Sequence, residues 1–183
     1  MFSSTTLLLE RLSRLVQNDA HTDGVKPTQW EALRYIARAN RFSRSPGALT
    51  NYLGMTKGTV SQTLQALERK GLIKKQTAAG DRRGVKLELT SAGEKLLSAD
   101  PLSDLEASLA SMPKESRNAL GASLQGLIKG MLEQRGGRAF GACKTCRHFK
   151  RRHDLGAPHF CNLLEEALSA GDSNKICAEQ EAA

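Results

Sequence analysis

The chain has 183 residues, 39% of them hydrophobic, and 27 Lys/Arg against 19 Asp/Glu give it a net charge of +8 and a pI near 9.6. That length fits one domain with an appendage, and the basic balance favours an anionic partner. No stretch approaches the roughly 20 apolar residues that cross a bilayer.

The first element is expected as an amphipathic helix over residues 5–17, with Leu8, Leu12, Leu15 and Val16 on one stripe. No basic leader precedes Leu7–Leu9, and Glu10, Arg11 and Arg14 interrupt the apolar run. A signal peptide is therefore not expected, and a cytoplasmic location, where thiols stay reduced, is. After a polar break, Pro27-Thr28-Gln29-Trp30-Glu31 predicts a helix start. Thr28 is the expected cap, with Glu31 completing the box. Trp30, Leu33, Ile36 and Ala37 form the buried side of that helix.

Residues 46–54 predict a short helix opened by Pro46. Thr56 is expected to cap the next helix, which runs to about Lys70 with Val60, Leu64 and Leu67 inward and Gly71 as its stop. Two strands follow, Leu72–Thr77 and Val85–Leu89; in the second, Val85, Leu87 and Leu89 alternate with Lys86 and Glu88. The link between them is rich in glycine and charge. Ser91-x-x-Glu94 opens another helix, Pro101 ends or kinks it, residues 102–111 resume it, and a long helix runs from about Pro113 to Gln134 with Leu120, Leu124, Leu127, Ile128, Met131 and Leu132 on its stripe. Gly136-Gly137 marks a linker, dividing the chain into 1–135 and 136–183.

The resulting class is mostly α with a small antiparallel β-hairpin. It is a winged helix-turn-helix with a further helix at each end and a C-terminal extension. In such a fold the helix over 56–70 enters the major groove. Its outward face offers Thr56, Lys57, Thr59, Ser61, Gln62 and Gln65, short or amide-bearing side chains suited to base edges. Between residues 56 and 86 there are eight Lys/Arg and two Asp/Glu, a net of +6 that neutralises phosphates. Lys74, Arg82 and Arg83 belong to that basic set. Read blandly, one such residue is only a solvated polar position; it is the whole element with its basic hairpin that points to DNA.

Met55-Thr-Lys-Gly-Thr-Val-Ser-Gln-Thr-Leu-Gln-Ala-Leu-Glu-Arg-Lys-Gly-Leu72, then Asp81-Arg82-Arg83 and Leu89-Thr90-x-x-Gly93, resembles the MarR family of winged-helix regulators over about residues 5–134. The resemblance implies a homodimer joined through its first and last helices. It also implies that Arg83 inserts into the minor groove with Asp81 as its brace, which suits narrow A·T-rich DNA. A two-fold dimer reads a pseudo-palindromic operator on double-stranded DNA.

Beyond residue 136 the chain leaves that pattern. All four cysteines lie there, Cys143, Cys146, Cys161 and Cys177, spaced C-x2-C-x14-C-x15-C. Structural zinc sites often present two tight knuckles. Here there is one knuckle and two lone cysteines, an arrangement suited to a larger inorganic core in which each iron takes its own thiolate. An iron–sulfur cluster is the expected cofactor, [4Fe–4S] ahead of [2Fe–2S], with zinc and a metal-free dithiol switch as alternatives. Lys144, Arg147, Lys150, Arg151 and Arg152 are expected to favour the thiolates. His159 is a candidate substitute ligand, with His148 and His153 behind it. Leu163, Leu164 and Leu168 suggest a short helix after Cys161, and Phe149 and Phe160 are candidate shields.

The combined expectation is a transcriptional regulator, and not an enzyme, whose operator affinity follows the cluster's response to redox state, oxygen, nitric oxide or iron. No nucleotide loop, nucleophile–base pair or paired carboxylates appear, and the C-x-x-C lacks the βαβ context of thiol oxidoreductases. Because the tail follows the last dimerisation helix, that helix is the expected route of the signal.

Overall fold

The computed structural model describes residues 2–20, 24–77, 84–137, 140–151 and 156–182. The elements α1 (Ser4–Asp19), α2 (Pro27–Arg38), α3 (Pro46–Leu53), α4 (Lys57–Arg69), β1 (Ile73–Thr77), β2 (Val85–Leu89), α5 (Ser91–Leu97), α6 (Leu102–Ala110) and α7 (Lys114–Gln134) follow in order. The fold is a mostly helical winged helix with small antiparallel sheets.

Helix α2 is the centre of the core. Trp30, Leu33 and Ile36 are fully buried on it and meet Val60, Leu64 and Leu67 of α4, Leu49 of α3, and Ile73 and Leu87 of the hairpin. Each buried side chain of this size contributes roughly 1.5–3 kcal/mol. The start of α2 differs from expectation. Pro27, which has no N–H to leave unsatisfied, takes the first helical position, so Thr28 lies inside the helix and Lys26 is the cap residue. Gln29 accepts the Lys26 N–H through Oε1 at 3.1 Å, the role expected of Glu31.

Helix α3 is capped by Ser45, whose Oγ accepts the Ala48 N–H at 3.1 Å. It stops at Gly54, which has φ +62°. Thr56 caps α4 as expected, accepting the Thr59 N–H at 3.2 Å. The hairpin pairs Ile73 with Leu89 and Thr77 with Val85. Thr90 caps α5 one residue before the expected Ser91, accepting the Gly93 N–H at 3.1 Å. A Cβ on Gly93 would stand 2.2 Å from the Leu72 carbonyl oxygen, so glycine there lets α5 pack on the hairpin base.

Arg34 reaches from α2 to Asp100 between α5 and α6 with two donated bonds of 2.7 and 2.6 Å. Burial raises the Asp100 carboxyl, but the Arg34 bonds, the Leu102 N–H and the Arg34 charge outweigh it and hold the group below its ordinary range. Helices α1, α6 and α7 bury no residue among those described. Leu7, Leu8, Leu12 and Leu15 of α1 and Leu120, Leu127, Ile128 and Met131 of α7 are exposed.

The tail forms two small sheets. Strand β3 (Gly141–Ala142) pairs antiparallel with β7 (Ile176–Cys177). Strands β4 (Phe149–Arg151), β5 (His159–Cys161) and β6 (Glu166–Leu168) make an antiparallel meander. A short helix, α8 (Ala170–Ser173), precedes β7. The helix expected after Cys161 is instead a turn, with Glu165 at φ 54°, leading into β6. Leu168 pairs across from His159 and is buried from that strand. Strand pairing to β5 and burial of one leucine replace the helical stripe.

Candidate nucleic-acid interface and sulfur site

Helix α4 turns its apolar residues inward and leaves the rest free. Thr56, Lys57, Thr59, Ser61, Gln62 and Gln65 are all exposed. Thr56 and Thr59 are partly committed to each other, with hydroxyls 2.9 Å apart at the helix cap. Among the described residues, the side chains of Lys57, Ser61, Gln62 and Gln65 have no partner. Lys74 on β1 is exposed and pairs with Glu88 across the hairpin at 3.0 Å. Arg82, Arg83 and the expected brace Asp81 lie outside the described residues.

At the opposite end of the chain the four cysteines line one cavity. Cys143, Cys146, Cys161 and Cys177 share it with Phe149, Leu168 and a few other side chains. All four are free thiols. The local folding explains the convergence. The β3–β7 ladder places Cys143 beside Cys177. Cys143–Thr145 form a single 3-10 turn, closed by the Cys146 N–H to the Cys143 carbonyl at 3.0 Å, which brings the second thiol round. The meander sets Cys161 opposite Phe149. As they stand, no three of the described His, Cys, Asp or Glu side chains come close enough to hold a single metal ion.

The Cys143 and Cys177 thiols are buried and hydrogen-bonded to each other. That bond, with burial added, pushes Cys143 far above the ordinary thiol range. It lowers Cys177 to about 6, against the effect of burial and with help from the Glu179 N–H, Asn40 and Ser43. The expected cause, the basic run, is not the one at work on these two thiols. Lys144 donates instead to Asn174 at 2.9 Å, and Arg147 faces Glu181 at 3.4 Å. Arg152 and His153 lie outside the described residues.

Neither described histidine of the tail lines the cavity. His148 faces the Glu181 carboxylate at 3.3 Å. His159 packs its ring on Phe149, centroids 4.8 Å apart. Of the two expected shields, Phe149 lines the cavity and Phe160 does not.

The sequence reading missed Asn40, Ser43 and Arg41. Asn40 Nδ2 donates to Cys143 Sγ at 3.1 Å from a fully buried position. Ser43 Oγ accepts the Ala178 N–H at 2.8 Å and hydrogen-bonds Cys177. Arg41 donates to Asp172 at 2.7 Å and to the Ala167 carbonyl at 2.5 Å. A fully buried asparagine needs partners, but its partner lies 103 residues away, beyond any local pattern.

Helix, turn, exposed second helix and hairpin define a winged helix-turn-helix protein. Residues 23–84, from just before α2 into the hairpin, match the family model described as MarR family. Among solved structures, the chain is similar to a MepR–DNA complex from S. aureus, at 24% identity over 71% of this chain and 99% of that one, with a TM-score of 0.60. It is similar to a MarR transcriptional regulator from Methanosarcina mazei Go1, at 23% over 70% and 94%, TM-score 0.58. A mutant form of S. aureus MepR aligns at 24% over 71% and 99%, TM-score 0.55. At these identities the likeness establishes the fold. No curated protein matches the chain. No helix among the described residues is long and apolar enough to cross a membrane.

Proposed function

We propose that this chain is a dimeric DNA-binding transcriptional regulator. Its operator affinity is set by an iron–sulfur cluster on Cys143, Cys146, Cys161 and Cys177. The observation that carries this reading is the lining of one cavity by all four cysteines, in a tail whose buried apolar cluster among the described residues is Cys143, Leu168 and Cys177. A unit of about 40 residues rarely holds itself with so little burial and normally needs a metal or disulfides. The sulfurs reach the cavity from three separate segments, one knuckle at the 3-10 turn and single cysteines at the ends of β5 and β7. Ligands so distributed suit a polynuclear core, [4Fe–4S] ahead of [2Fe–2S], better than the paired knuckles of structural zinc. Amide and hydroxyl groups already aimed at two of the sulfurs suit the anionic thiolates of such a centre.

DNA binding is supported by the exposed, uncommitted face of α4 and by the basic balance around it. The similar MepR chain is seen bound to DNA. Dimerisation is supported by the apolar stripes of α1 and α7, which a single copy leaves in water; a second copy covers them and presents two α4 helices to a pseudo-palindromic operator.

Protein purified without oxygen is expected to be brown, with iron and acid-labile sulfide in comparable amounts. Its operator affinity changes when the centre is removed. A colourless protein carrying one zinc per chain would end the cluster reading and leave a structural zinc tail. The hydrogen-bonded Cys143–Cys177 pair favours one other reading, a dithiol switch. Peroxide would take two electrons and two protons from the thiols, leaving water and a Cys143–Cys177 disulfide. Mass spectrometry of the oxidised protein separates that case.

A further inference from the structure

The tail is docked on the reading unit of its own chain. Phe140 sits edge-on to Tyr35 of α2 and Tyr52 of α3, with centroids at 6.5 and 5.2 Å. The Asn40 N–H donates to the Ile176 carbonyl at 2.9 Å. Residues 40–45, joining α2 to α3, therefore touch three things at once. Asn40 and Ser43 meet the sulfurs. Ser45 caps α3. The Arg44 carbonyl accepts the Leu87 N–H of strand β2 at 2.7 Å.

We infer that Asn40 and Ser43 are positioning residues of the sulfur site and carry its state into α3 and the wing. This rests on the reading that the four cysteines hold an inorganic centre. The loop is tightly determined. Asn40 Oδ1 accepts the N–H groups of Phe42 at 3.0 Å and Ser43 at 2.9 Å, while its Nδ2 donates to Cys143. The Ser43 carbonyl accepts the Tyr35 hydroxyl at 2.8 Å. Both side chains are buried, so water cannot take over their bonds to sulfur. Sulfurs held by a centre are fixed in place for the donors on the loop. Loss of the centre releases them, so the bonds from Asn40 and Ser43 no longer hold the loop, the start of α3 and the bond to β2. The signal then runs through the α2–α3 loop within one chain, in place of the α7 route expected from chain order.

Two variants test this in the full-length, anaerobically purified protein. Asn40→Asp keeps an acceptor for Phe42 and Ser43 but removes the donor to Cys143. Ser43→Ala removes the hydroxyl facing Cys177. Measured are iron content, the midpoint potential of the centre, and the ratio of operator affinities with and without it. Wild type is expected to show a ratio of about 5–150. Both variants are expected to load iron, to shift the potential downward because a donor to sulfur is gone, and to bring the ratio towards one. A purely structural role would leave the potential of a loaded centre where it was. Arg41→Met cuts the Asp172 contact without touching a sulfur. It is expected to keep the potential and still lose most of the ratio, so the inference stays testable if Asn40→Asp fails to load. Loaded variants with wild-type potential and ratio overturn this inference alone. A wild-type protein without iron overturns the reading beneath it as well.

Discussion

Fifteen buried apolar residues, from Ala20 to Leu87, close the core of the winged helix, whereas the tail closes on Cys143, Leu168 and Cys177. The first unit is held mainly by its own side chains, with Phe140 and Ile176 of the tail packed against them. The second has two of its three core residues in chemically reactive thiols. Burial at about 25 cal/mol per Å² contributes far more to the first than to the second, which also leans on the surface it docks against. One chain thus joins a unit with a deep apolar core to a unit with a shallow, sulfur-rich one.

The sharpest way to break this contrast is Cys143→Ser, or Cys177→Ser. Either is expected to abolish stoichiometric metal binding and remove amide-exchange protection from strands β3 to β7 and from the Asn40 loop they touch, while the amides of α2 and α4 around Leu33 and Leu64 keep theirs. Coupled collapse of both units would refute the division. Next in size is the reverse experiment. Leu64→Ala should destabilise the winged helix by about 2–5 kcal/mol, read by denaturant unfolding, with metal content unchanged in the folded protein. Gly93→Ala belongs beside it, because its Cβ meets the Leu72 carbonyl oxygen at 2.2 Å. Smaller again is the DNA face. Gln65→Ala should cost about 1–3 kcal/mol at the operator, and Lys57→Ala should lower the salt slope of binding by about one. Fluorescence anisotropy across a salt series checks both, and a tail-independent loss is expected.

The smallest effect concerns pH at the join. Burial raises the Asp172 carboxyl, but bonds from Ser169 and the charge of Arg41 outweigh it and hold the group below its ordinary range. A lowered folded value means that docking is fully favoured above the unfolded carboxylate range, about pH 4, and is lost as pH falls through the folded value. Arg41 is 41% exposed, so the contribution is about 1 kcal/mol or less. The difference between wild type and Asp172→Asn in exchange at the Ala178 amide, followed from pH 6 downward, should shrink with acidification. A difference that grew on acidification would show that Asp172 does not hold the tail.

What could be read in advance divides along the same line. Helices α3 and α4, the hairpin and α5 follow from caps, apolar spacing and terminal glycines within a dozen residues of one another. Thr56, Gly71 and the alternation of Val85, Leu87 and Leu89 were enough for them. The convergence of four thiols was suggested by their spacing. Their surroundings were not, because Asn40 and Ser43 act across more than a hundred residues and look locally like any helix-terminating loop. The helix expected near Leu168 failed for a related reason. Three leucines imply a stripe only when the chain is free to coil, and here pairing with β5 had already fixed an extended backbone.

The β3–β7 ladder joins residue 141 to residue 177, and this has a consequence for how the molecule comes into being. A ribosome delivers the segment from α2 to β2 well before Cys177, so the DNA-reading unit can fold while the last sulfur is still to be made. Every newly synthesised copy therefore passes first through a form with Tyr35, Tyr52 and the Asn40 loop uncovered. On the proposed reading that birth state carries no centre, and the supply of cofactor to fresh chains, as much as damage to old ones, then sets how much of the population carries the signal.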